Sequence, residues 1–92
     1  MLERDIVRSI RSYLNAIDGV FVWKTHGGQF GTAGEPDLIG SYKGKALGIE
    51  VKRPGQKATR LQYLFLKKLQ AAGAIAFVAC SVEDVKKKLN IK

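Results

Sequence analysis

One cysteine, one histidine, two prolines and half as many acids as bases stand in a chain of 92 residues, and each shortage removes a class of protein. The single cysteine, Cys80, cannot form an internal disulfide, which argues against a stapled secreted scaffold and agrees with a reducing compartment. It lies in an apolar run, residues 74–80, and reads as a small buried hydrophobe. His26 has no second histidine and no cysteine at ligand spacing, so zinc is not expected. No apolar run approaches the roughly 20 residues of a membrane span, and the N-terminus lacks a basic region followed by an apolar stretch. A cytoplasmic protein with no membrane attachment is therefore expected. The shortage of acids leaves 16 Lys and Arg against 8 Asp and Glu, a net charge of +8. In so short a chain that excess favours a polyanionic partner such as nucleic acid.

What is present reads as one domain over residues 1–92. Residues 2–17 have the spacing of an amphipathic helix, with Leu2, Ile6, Ile10, Tyr13, Leu14 and Ile17 recurring at steps of three and four. At 100° per residue, Glu3 falls inside that apolar stripe, between Ile10 and Leu14. A carboxylate complementing the helix dipole accounts for the first turn but not for this facing, which points to an acidic site. A first strand is expected over 20–24. The loop that follows, residues 25–34, holds four of the ten glycines. It matches neither a P-loop nor a dinucleotide fingerprint, yet backbone rich in glycine can approach a phosphate closely. Lys24, His26 and Gly34 are candidates for substrate contact there, and Arg53 and Arg60 are candidates further along.

Two short strands joined by a turn at Lys43 and Gly44 are expected within residues 34–52. Antiparallel pairing about that turn sets Asp37 opposite Glu50, with Cβ atoms ~4.5–5.5 Å apart, and Lys52 shares the face of Glu50. Facing like charges cost stability, and a divalent cation is the usual way of offsetting that cost. Gly34 and Pro36 before the strand deliver Asp37 at a defined point. Thr59 opens a second helix with Gln62 three residues on, a capping-box spacing. Gln62 lies at the edge of an apolar stripe formed by Leu61, Phe65, Leu69 and Ala72, so a functional role competes with the capping one. Residues 74–79 are apolar throughout, as in a strand covered on both faces. A last short helix starts after Ser81, with Val82, Val85 and Leu89 inward and residues 86–88 as a solvated lysine face.

The order helix, three strands, helix, strand, helix, with a helical crossover to the last strand, implies a mixed four-stranded α/β sheet with helices on both faces. Pro36-Asp37 followed by Glu50-Val51-Lys52 resembles the Pro-Asp…(Asp/Glu)-x-Lys signature of the restriction-endonuclease-like nucleases. Gly34-Glu35-Pro36-Asp37-Leu38, the glutamate of the first helix and the glutamine after the lysine resemble more specifically the VRR-NUC (virus-type replication and repair nuclease) domain, including small stand-alone members of phages and bacteria. The resemblance spans essentially the whole chain. It implies an αβββαβ core with an extra C-terminal helix. It also implies a Mg²⁺-dependent DNA endonuclease, with Mn²⁺ as a substitute ion, selective for branched, flap or Holliday-junction DNA in replication and repair.

In that reading Asp37 and Glu50 hold the metal, joined by the carbonyl of Val51 and by Glu3. Lys52 orients the attacking water, and Gln62 orders the lysine or a phosphate. A homodimer is expected by analogy with the two-fold character of branched substrates. A helicase or replication partner is left open. A non-catalytic nucleic-acid-binding module and an RNA-processing nuclease on the same fold are the alternatives.

Overall fold

The structure, a computed structural model, describes residues 1–26 and 31–92. The glycine-rich loop's expected contact with phosphate falls partly on residues 27–30, outside the described residues. The elements are α1 (Glu3–Asn15), β1 (Val20–Lys24), β2 (Leu38–Tyr42), β3 (Lys45–Val51), α2 (Arg60–Ala71), β4 (Ile75–Ala79) and α3 (Val82–Lys88). The strands form one sheet in the order β1-β2-β3-β4, antiparallel except for the parallel pair β3 and β4. This is the mixed sheet expected from the element order.

Lys43 and Gly44 both have positive φ, 48° and 88°, the two-residue geometry whose twist suits a β-hairpin. That turn fixes the register of β2 on β3, pairing Leu38 with Ile49, so position 37 lies across from position 50 just beyond the last pair. The face bearing Leu38, Leu47, Ile49 and Val51 is closed by Ile6, Val7, Ile10 and Leu14 of α1 and by Val85 of α3. The opposite face carries α2, with Leu69 Cδ1 2.9 Å from where a β carbon on Gly48 would sit.

Several facings differ from the expectation. α1 is shorter at both ends than residues 2–17. Leu2 is its N-cap and is exposed, and Val7 takes the buried place. Ala16 is the C-cap, and the Asn15 side chain turns to the backbone of Val22, accepting from its N–H at 2.8 Å and donating to its carbonyl at 3.0 Å. In α2 the buried residue is Leu66, while Leu61 and Ala72 of the expected stripe are exposed. β4 is an edge strand whose Ala76 and Ala79 are buried and whose Ile75, Phe77 and Val78 are half-buried. The lysines of α3 are not simply solvated. Lys86 pairs with Glu83 at 3.7 Å, and Lys88 pairs with Asp84 at 3.5 Å and donates to the carbonyl of Val78.

Candidate active site

Three carboxylates from three separate segments meet at one end of the sheet. An oxygen each from Glu3, Asp37 and Glu50 lie within 4.8 Å of one another. Each arrives there for a local reason. Glu3 begins α1, which is held down by the buried Ile6, Val7 and Ile10 that follow it. Asp37 precedes β2, behind a fully buried Pro36, and its Oδ2 accepts from the Val51 N–H at 2.8 Å. Glu50 is the penultimate residue of β3 and is only 2% exposed.

The electrostatics of this cluster are unbalanced. Burial pushes the Glu50 carboxyl from 4.5 up to about 8, and the neighbouring Asp37 charge adds to the rise. Lys52, whose Nζ lies 3.5 Å from Glu50 Oε2, acts in the opposite direction without cancelling it. A buried carboxyl that stays protonated near neutrality is a site with one cation too few. An all-oxygen donor set suits a hard divalent ion such as Mg²⁺ or Mn²⁺.

Val51 fits the same picture through its backbone. Its N–H faces Asp37, whereas the N–H of Lys52 donates the other way, to Ala79 on β4, at 3.0 Å. An extended residue points its N–H and C=O to the same side, so the Val51 carbonyl faces the Asp37 side of β3.

Asp37 and Glu50 line a cavity of about 420 Å³ together with Lys24, Thr25, Gly34, Thr59 and Gln62. Gln62 does make the capping box. Its Oε1 accepts from the Thr59 N–H at 2.8 Å, and its own N–H donates to Thr59 Oγ1 at 3.2 Å. Because the cap uses the amide oxygen, the amide nitrogen keeps both its donors for other contacts. Gly34 lines the cavity, and it is also required by packing. Its φ is +81°, and a β carbon there would lie 2.6 Å from the Leu61 carbonyl oxygen. The other candidates for substrate contact lie elsewhere. His26 lines a second hollow with Arg11, Trp23, Lys24 and Thr25. Arg60 lines a third with Lys57 and Tyr63, and Arg53 is exposed after β3.

Thr25 was not foreseen. It is buried at 8% exposure; its N–H donates to the Asp37 carbonyl at 2.9 Å and its hydroxyl donates to the Pro36 carbonyl at 2.6 Å. It clamps the backbone that presents Asp37. The pairing of Lys24 with Leu38 sets Thr25 opposite Asp37, but that register spans a long loop and is not given by local spacing.

An α/β sheet flanked by three helices, with a hairpin that brings acids together at its end, is the class this geometry defines. A solved structure named "VRR_NUC domain protein" has the same fold. It matches with a TM-score of 0.77 at 22% identity, covering 98% of this chain and 86% of its own. The chain thus has a VRR_NUC-like fold, as the motif resemblance implied. No family model and no curated protein matches the sequence.

Proposed function

We propose that this chain is a single-domain VRR-NUC-type nuclease that hydrolyses phosphodiester bonds in DNA with a divalent cation, Mg²⁺ or Mn²⁺. The observation that carries the reading is the meeting of Glu3, Asp37 and Glu50 within 4.8 Å, with the ammonium of Lys52 beside Glu50, on a VRR_NUC-like fold. Asp37, Glu50, the Val51 carbonyl and Glu3 would hold the ion, which supplies Lewis-acid polarisation of the phosphate and of an attacking water. Lys52 orients that water and offsets the negative charge that builds on the phosphoryl oxygens in the transition state. The Asp37–Val51 hydrogen bond and the Thr25 clamp hold the Asp37 carboxylate in place, so little reorganisation is needed when the phosphate arrives. The net charge of +8 holds the polyanion against an otherwise acidic pocket.

The direct test is a panel of labelled linear, flapped, forked and four-way DNA substrates, and RNA, incubated with Mg²⁺, Mn²⁺ or EDTA. Metal-dependent cleavage of DNA with preference for branched forms is the expected result. Binding without cleavage would favour a non-catalytic module, and preferential cleavage of RNA would favour an RNA-processing enzyme. Affinity should also fall steeply with salt, as phosphate-dominated binding does. A flat titration would refute a polyanionic substrate. Four-way junctions have two-fold symmetry, so a homodimer is part of the proposal. The exposed Tyr63 and Leu64 of α2 offer it apolar surface, and sedimentation equilibrium would read its stoichiometry.

Gln62 separates capping from function. Gln62→Glu keeps an oxygen to accept from the Thr59 N–H but loses the amide donor. It should leave the melting temperature nearly unchanged and lower the cleavage rate. Full activity in this variant would reduce Gln62 to a cap.

A further inference from the structure

Outside the acidic cavity, two aromatic rings on β1 stand open to solvent. Phe21 is 63% and Trp23 47% exposed, with ring centroids 5.8 Å apart and planes tilted by 40°. They lie on the same sheet face as the acids: Trp23 pairs with Ile39, Ile39 pairs with Gly48, and Glu50 is two residues beyond Gly48. α2 covers this face over β3 and β4, and among the described residues the rings at its β1 end stay exposed. Ile39 is two residues from Asp37, so the Cα atoms of Trp23 and Asp37 are separated by roughly 8 Å, given ~3.4 Å per residue and ~4.8 Å between strands.

The surroundings of these rings indicate what they receive. The hollow beside Trp23 is lined by Arg11, Lys24, Thr25 and His26, with no carboxylate among them. Lys24 and Thr25 also line the acidic cavity, so the two depressions are neighbours. Strand addition at this edge is blocked where its backbone is occupied: Asn15 takes both the N–H and the carbonyl of Val22, and the Val20 N–H donates to the Ile17 carbonyl at 3.2 Å. Among the described residues what remains open is an aromatic face with Arg11 and Lys24 beside Trp23, which matches stacked bases tethered to phosphates.

We infer that Phe21 and Trp23 form a stacking platform for unpaired bases next to the scissile phosphate, with Arg11, Lys24 and His26 along their backbone. Exposed rings on a strand stack on bases most readily where these are unpaired and splayed from a duplex. The substrate class is therefore DNA with a single-stranded segment abutting the cleavage point, a flap or fork rather than uninterrupted duplex. This inference rests on the proposed nuclease reading and deepens it.

Trp23 is the only tryptophan of the chain, so its emission reports on this site alone. The experiment titrates the protein in EDTA with an oligo(dT) of ~12 nucleotides, within the usual span of single-strand sites, and with a blunt duplex. Binding is followed separately by anisotropy of end-labelled DNA. Oligo(dT) should quench the tryptophan with the midpoint seen by anisotropy, and duplex should bind with little quenching. Trp23→Ala should lower oligo(dT) affinity about 5- to 150-fold, the range for one stacked base, without a matching loss for duplex. Trp23→Phe should restore most of that affinity.

Oligo(dT) binding with unchanged emission, or undiminished affinity in Trp23→Ala, would overturn the platform and leave the nuclease reading standing. A change in emission with protein concentration alone, without DNA, would assign this face to a second copy of the chain and also overturn it. Failure to bind any nucleic acid would defeat the nuclease reading itself.

Discussion

Glu50→Gln is expected to raise the melting temperature of the metal-free protein at pH 9 and to raise it far less at pH 5. In the folded chain the Glu50 carboxyl titrates at about 8 rather than 4.5, because it is buried beside Asp37. In the unfolded chain it titrates as an ordinary glutamate. Between those pH values the unfolded state has released a proton that the folded state retains, so the metal-free protein loses stability as pH rises from 4.5 through 8. Below 4.5 both states are protonated and nothing is lost. Glutamine imitates the protonated acid in shape and charge, so the variant escapes the loss.

Each pH unit of the interval is worth about 1.4 kcal/mol, and the opposing pull of Lys52 is already contained in the raised titration. A rise of more than about 5 °C at pH 9 is expected for a domain of this size. Mg²⁺ should then stabilise the wild type increasingly as pH rises through 8, since a metal ligand must shed its proton, and should do little for the variant. Thermal melts from pH 5 to pH 9, with EDTA and with Mg²⁺, measure all of this. A melting difference independent of pH would refute the raised Glu50 titration, and equal Mg²⁺ stabilisation of both proteins would remove Glu50 from the metal site.

How far the sequence reveals such a site depends on the distance over which each feature is determined. The Asp37–Glu50 opposition was legible because a two-residue turn fixes the hairpin register from within the hairpin. Glu3 was legible because a carboxylate in the phase of an apolar helix stripe conflicts with burial, and the conflict located it beside the other acids. The facing of α2 was not legible. Leu61, Tyr63, Leu64, Phe65, Leu66 and Leu69 place apolar groups nearly all round that helix, so periodicity does not choose among them. The bare backbone of Gly48 and the buried Ala76 of β4 make that choice, leaving Leu66 inside and Leu61 out. Thr25 was hidden for a related reason, because its pairing with Asp37 depends on a register set across a long loop. The aromatic face of β1 reads in sequence as ordinary strand composition, and only the packing of the described residues shows that Phe21 and Trp23 stay exposed.

Asp37 and Lys52 should fail in different ways, and the difference separates holding the metal from driving the chemistry. Asp37→Asn retains an oxygen that can accept from the Val51 N–H, so the hairpin end keeps its hydrogen bond. It removes one negative charge from a cluster whose value to a dication lies in its charge. Cleavage should fall by about 10²- to 10³-fold, as when a principal electrostatic contact to a transition state is lost, and Mg²⁺-dependent stabilisation should fall with it. Lys52→Met keeps the length of the partly buried stem, 15% exposed as a side chain, and removes the ammonium. Cleavage should fall by about 10²-fold or more, but the Mg²⁺-dependent rise in melting temperature should survive, because no ligand has been removed and a competing cation 3.5 Å from Glu50 is gone. Both variants are to be assayed at pH 9, where Glu50 of the wild type is largely ionised. If Lys52→Met cleaved at the wild-type rate, the lysine would have no part in the reaction. If Asp37→Asn kept both metal stabilisation and cleavage, the cluster at the sheet's end would not be the active site.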